Sequence, residues 1–263
     1  MEVIAKPPDK ATFMQRMMAD APRRQGPRTF TLNYPLPGFP EKITLDIDPN
    51  AKVINGAYGN RPTKSDVWAQ AELLEDRWGG RDGGLTRLDY DKSLEIRYNN
   101  FHTPAFSGCI KERPSAAILP LQADSIPQTS EQLSDERVWG RDSPRGRKLM
   151  VRKLVSEAPG LAEMVLDAYL AYAKVLFRAG IIDEAVSFTR PRNIAKWLAA
   201  KPNLKKAAKG DIVMEYFYQT GDRNILLHLD KGAKLEQIYP DGCPKDPLAL
   251  GIMIRMSYTH LLA

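Results

Sequence analysis

Between Gly160 and Gly180 the charged residues of the chain fall into one narrow stripe. Glu163, Asp167, Lys174 and Arg178 stand at spacings of 4, 7 and 4, and nearly everything off the stripe is apolar. That is the period of an amphipathic helix, with acids toward its N-terminal end and bases toward its C-terminal end, as the helix dipole favours. The pattern predicts a central helix with Leu166 and Leu170 facing inward and Gly180 as its stop. The continuation "AYAKVLFRAGIIDEAVSFTR" predicts a turn at the glycine and a second helix, an αα-hairpin.

Elsewhere the pattern predicts shorter elements. Alternation over residues 29–33 and 42–48, around a Pro/Gly-rich connection, predicts a β-hairpin with a long loop. Thr63 and Asp66 stand in capping-box spacing ahead of Val67, Ala71, Leu74 and Trp78, which predicts a helix ending at Gly79. Short β-like runs follow at 94–98 and 116–121, and "QADSIPQTSEQLSDE" reads as a linker, placing a boundary near residue 130. Ser143 and Pro144 form an N-cap and N1 pair, predicting a helix to about Glu157 with Leu149 or Met150 and Leu154 inward. A helix is expected from about Asp211, then a strand over "NILLHL" turned by "DKG". From Pro247 onward the chain is apolar apart from Arg255 and must be buried, in this chain or against another.

The hairpin segment "AYAKVLFRAGIIDEAVSFTR" also resembles the middle of a tetratricopeptide-type helical hairpin in its small residue, glycine and "DEA" step at the turn. No second copy stands at the ~34-residue period that such arrays need, so an ordinary αα-hairpin is the expectation. Residues 1–40 hold seven of the chain's 20 prolines, which predicts an extended arm. Within it Phe13, Met14, Met17 and Met18 lie on one side of a short helix and would dock either onto the chain's own body or onto a neighbouring copy. The fold class expected is α+β: an extended arm (1–40), a mixed α/β region (41–130) and a mainly helical domain with a basic surface (131–263).

Composition narrows the class without naming a reaction. A chain of 263 residues, 43% hydrophobic and 27% charged, can bury a substantial core unaided. Two cysteines, Cys109 and Cys243, are too few for a disulfide framework and lack zinc-site spacing. No apolar run approaches a membrane span and no signal-like h-region opens the chain, so the location expected is cytoplasmic or within an assembled particle.

The net charge of +6 is segregated. Residues 137–153 carry +6 (Arg137, Arg141, Arg145, Arg147, Lys148, Arg152, Lys153 against Asp142) and residues 190–209 carry +7 (Arg190, Arg192, Lys196, Lys201, Lys205, Lys206, Lys209), leaving −7 for the remainder. Such blocks suit phosphate contacts, which need cations on a rigid surface and no consensus motif. Trp139, Trp197 and "EYFYQ" nearby could stack bases, although Trp197 with Ile194 and Leu198 also forms an apolar stripe.

Catalytic chemistry finds little support. The three histidines are His102, His228 and His260; His102 lies seven residues from Cys109 without a nucleophile turn, and a strand would put His228 and Asp230 on one side, two ligands short of a metal site. "WGGRDGG" lacks the lysine and hydroxyl of a P-loop. With no catalytic residue, cofactor or metal assigned, the reading is a non-enzymatic, self-assembling structural protein of the virion, nucleocapsid or head-tail kind. Its partners would be its own copies, through the arm and the apolar tail, and nucleic acid, through the two basic blocks. The alternative is an enzyme of an unfamiliar family acting on nucleic acid or nucleotides, with His102, Cys109, His228 or acidic residues in its site.

Overall fold

The structure is a computed structural model that describes residues 29–33, 42–46, 106–110, 113–135, 143, 145–156, 161–244 and 246–263. Strands β1 (Thr29–Asn33) and β2 (Lys42–Asp46) pair antiparallel, Thr29 opposite Asp46, as alternation predicts. Six further strands form one mixed sheet: β3 (Phe106–Ile110), β4 (Arg113–Ala123), β5 (Lys148–Ser156), β6 (Glu184–Thr189), β7 (Lys234–Tyr239) and β8 (Met253–Ser257), in the order β3-β4-β5-β6-β8-β7. The described residues group into two compact units, divided within β6 after Ser187.

The first unit holds the described residues up to Ile126, those of 143–187, and 259–263. Its strands β3, β4 and β5 pair antiparallel, whereas β5 and β6 run parallel, with Lys148 opposite Glu184 and Val151 opposite Ser187. Helix α2 (Leu161–Arg178) lies in the crossover that connects that parallel pair, since a parallel strand cannot be reached by a tight turn. It is the helix the charge stripe predicts: Glu163 and Arg178 are exposed, while Val165, Leu166, Ala168, Tyr169, Tyr172 and Leu176 are buried. Tyr172 packs its ring 5.8 Å from that of Phe106 on β3. Gly180 stops the helix with φ 71°, a conformation that costs glycine little.

The second unit holds 127–135 and 188–258. Helix α1 (Ser130–Ser134) is capped by the Thr129 hydroxyl, which accepts from the Gln132 N–H. Helices α3 (Ile194–Ala199), α4 (Lys209–Thr220) and α5 (Arg223–Asp230) follow β6, and β7 then pairs antiparallel with β8. Gly221 (φ 58°) closes α4, and the buried Asp222 carboxylate opens α5 by accepting from the Asn224 and Ile225 N–H groups and from the Tyr216 hydroxyl. Burial pushes both the Asp222 carboxyl and the Tyr216 hydroxyl above their usual ranges.

Several expectations are corrected. The region after residue 131 is not mainly helical, and the fold is α/β: β5, β6, β7 and β8 all fall there, in a mixed sheet. Residues 148–156, expected on a helix, form β5. The strand is buried on both faces at Leu149, Met150 and Val151, and β5 carries an extra residue, Arg152, between Val151 opposite Pro120 and Lys153 opposite Leu119. Both features erase the period-2 signal that marks a half-exposed strand. The second arm of the expected αα-hairpin is β6, and "NILLHL" is helical in α5. The helix over 63–78, the strand at 94–98 and the arm with Phe13, Met14, Met17 and Met18 lie outside the described residues. The apolar tail is buried within this chain, at Ile252, Ile254, Met256, Tyr258 and Leu262.

Candidate functional site

The feature of the first unit that no packing argument requires is the parting of β5 from β6. Four residue pairs hold them together, from Lys148 with Glu184 to Val151 with Ser187, and there the pairing ends. Strand β5 continues to Ser156 and stays paired with β4 throughout. The residue after Val151 is the bulge residue Arg152, and a bulge bends its strand and sharpens its twist. Past Val151 the pairing of β5 with β6 does not continue among the described residues, and a strand edge of this kind can take up an extended ligand.

The paired stretch is clamped from α2. The fully buried Tyr169 hydroxyl lies 3.2 Å from the Leu149 carbonyl oxygen and 3.1 Å from that of Val186, one from each strand. A phenol has one proton, so it donates to these carbonyls alternately. Burial raises its pKa far above the usual tyrosine range, so it stays protonated. At the start of β5, Lys148 donates to Asp183 at 2.7 Å and lies 3.2 Å from Glu184, while Arg147 donates to Asp183 at 3.1 Å. The hydrogen bond from Lys148 holds the Asp183 carboxyl below its usual range. Beyond the other end of β5, α2 begins at Leu161, and its first N–H groups form the positive end of an 18-residue helix.

The second unit carries buried polar clusters of its own. Arg190 and Asp246 form an ion pair whose side chains are 13% and 9% exposed, and Asp246 also accepts from the Leu248 and Ala249 N–H groups. Burial lowers the Arg190 pKa, with Asp246 opposing it, and the Cys243 Sγ lies 3.8 Å from the guanidinium. Lys209 donates to the Pro240 and Leu250 carbonyls and to Asp241, tying the segment before β8 to α4. His228 is buried in α5 with Nδ1 hydrogen-bonded to the Tyr258 hydroxyl, and burial lowers its pKa to about 4. It is not half of a strand-borne metal pair: Asp230 closes the same helix, exposed, and among the described residues no three metal-ligating side chains cluster.

The basic blocks resolve into residues of several kinds. Arg147, Lys148, Arg190 and Lys209 are held by internal carboxylates. Arg145, Lys196, Lys205 and Lys206 are exposed, whereas Arg192 and Lys201 are half-buried, with the Lys201 ammonium 6.0 Å from the Trp197 ring centre. Trp197 itself packs edge-on against Tyr216. Arg152 and Lys153 lie on β5 past the point of divergence, Cys109 lies on β3, and Arg141 and His102 fall outside the described residues.

No protein-family model matches the sequence, and no curated protein does. Solved structures do match. A GphF GNAT-like decarboxylase in complex with isobutyryl-CoA superposes with a TM-score of 0.53 at 16% identity, over 78% of this chain and 97% of that one. The loading GNATL domain of CurA from Lyngbya majuscula gives 0.54 at 17% identity, over 79% of this chain and 98% of that domain. This is a GNAT-like fold. The malonyl-CoA decarboxylase from Agrobacterium vitis matches at 0.53 and 15% identity, over 78% of this chain but 60% of the other.

The GNAT-like fold overturns the reading as a virion or nucleocapsid component and, with it, the nucleic-acid partner. That reading rested on an arm-plus-helical-domain organisation, and the chain instead shares an α/β fold with two decarboxylases and a loading domain. Assembly through the tail loses its support too, since the tail is buried within the chain. Among the described residues no helix is long and apolar enough to cross a membrane. What sequence reasoning missed is the divergence, with Val151, Tyr169 and Ser187; Arg152 was read only as one cation of a basic block. A strand, then a glycine (Gly160), then a long helix was the available signal, but it is legible only once residues 148–156 are recognised as a strand.

Proposed function

We propose that the protein is an enzyme that binds an acyl-CoA thioester along the edge of β5 that faces away from β4. The observation that carries this reading is that pairing with β6 stops at Val151 opposite Ser187, at the bulge residue Arg152, on the strand that leads into a long helix. Coenzyme A is a nucleotide diphosphate joined to an extended, amide-bearing arm that ends in a thiol. Its diphosphate suits the N–H groups and positive dipole end of α2. Its arm suits a strand edge, where main-chain groups meet amides as a neighbouring strand would. The lengths agree: Val151 to Ser156 is five residue steps, roughly 16 Å of extended strand at ~3.3 Å each, comparable with the arm from diphosphate to sulfur. The GNAT-like neighbour solved with isobutyryl-CoA supports the same ligand class.

Two reactions on the thioester fit this class: loss of CO2 from a malonyl-type group, and transfer of the acyl group to an acceptor. Calorimetric titration of the full chain with CoA, isobutyryl-CoA and malonyl-CoA tests the reading. Micromolar-range binding is expected, with mass spectrometry of the malonyl-CoA reaction separating decarboxylation from transfer. Absence of binding by all three at millimolar ligand refutes it.

A further inference from the structure

Ser187 carries a polar group that the fold of the first unit does not use. The Ser187 side chain is fully buried, and its Oγ has no hydrogen-bond partner. A buried hydroxyl without a partner carries a desolvation penalty that native structures seldom leave standing. Its position is specific, because Ser187 is the last residue of β6 paired with β5 and its opposite number, Val151, precedes the bulge residue. Cross-strand partners share a face, so Val151 and Ala185, both apolar, stand beside it on the sheet, with Thr189 two residues on along the same face of β6. The Tyr169 hydroxyl bonds the main-chain carbonyls of Leu149 and Val186 and leaves Oγ out of its network.

We propose that the Ser187 hydroxyl is a binding group for the acyl carbonyl of the thioester, donating a hydrogen bond to its oxygen at the point where β5 and β6 part. This rests on the acyl-CoA reading and assigns to it a residue. With the diphosphate at the start of α2 and the arm laid back along β5, the thioester is the part of the ligand that arrives beside Val151. A carbonyl oxygen accepts what a serine hydroxyl has to give, and the ligand satisfies the one described polar group at that position that the fold leaves unsatisfied. The clamp by Tyr169, one register step earlier, holds the strands so that Oγ meets the ligand in one place.

The test uses the full chain, Ser187→Ala and Ser187→Cys, with CoA and isobutyryl-CoA as probes in calorimetry and a thermal unfolding scan of each free protein. An idle hydroxyl in the free protein predicts that S187A unfolds at the wild-type temperature or above it. A hydrogen bond to the acyl carbonyl predicts that S187A loses roughly three- to tenfold in affinity for isobutyryl-CoA, with S187C between the two, while affinity for CoA, which has no acyl carbonyl, is unchanged. Three results overturn the assignment: an unaltered isobutyryl-CoA affinity, an equal loss for both ligands, or an S187A protein that unfolds several degrees lower. Failure of the wild type to bind either ligand would sink the acyl-CoA reading itself, a different outcome from wild-type binding that S187A leaves untouched.

Discussion

Replacing His228 by Gln should change how this protein responds to acid. His228 is fully buried in α5 with Nδ1 bonded to the Tyr258 hydroxyl, and its pKa falls from 6.5 to about 4 because burial penalises the imidazolium. The native state therefore keeps the ring neutral over a range in which the unfolded chain binds a proton. The stability that the neutral ring contributes is complete above pH 6.5, is lost as pH falls toward about 4, and changes no further once the folded ring protonates as well. A difference of about 2.5 pKa steps at ~1.36 kcal/mol each amounts to about 3 kcal/mol over that window. Glutamine does not titrate, yet it can still bond the tyrosine hydroxyl. Urea unfolding of wild type and H228Q at pH 7, 6, 5 and 4 measures the effect, and subtracting the two curves removes the carboxylates that both share. The wild-type advantage should shrink by about 3 kcal/mol from pH 7 to 4. A difference between the two proteins that stays constant over this range would refute the burial argument.

Two further outcomes test the packing. Leu166→Ala should cost about 2 to 5 kcal/mol in chemical denaturation because the side chain is fully buried on α2, whereas Glu163→Ala on the exposed stripe should cost under about 1. Arg190→Met leaves the Asp246 carboxylate buried without its cation and should cost about 3 kcal/mol, whereas the exposed Lys205→Ala should lie within about 0.5; equal effects would mean that the pair contributes nothing the solvent cannot replace.

Physical periodicity decided which parts of the molecule were legible in the sequence. The stripe Glu163, Asp167, Lys174 and Arg178 determined α2 in type, extent and buried face, because a helix that meets both water and a core must segregate its residues by period. Alternation determined the β1–β2 hairpin, and the apolar run after Pro247 determined that the end of the chain would be buried. The sheet strands β5 and β6 were not determined in this way. β6 and the Leu149–Val151 stretch of β5 are covered on both faces, so neither alternates, and Arg152 inserts a residue that breaks what alternation remained.

The same reason hid the site. Arg147 and Lys148 read as phosphate ligands because a sequence shows a cation without the carboxylate it meets; tertiary structure supplied Asp183, 36 and 35 residues away. Tyr169 and Ser187 read as ordinary members of apolar runs. Only the register of the parallel strands sets the Tyr169 hydroxyl between two main-chain carbonyls and leaves the Ser187 hydroxyl unmatched where those strands separate. Local pattern records the environment of one segment at a time, whereas a divergence between two strands is a relation between segments, and their packing alone decides it.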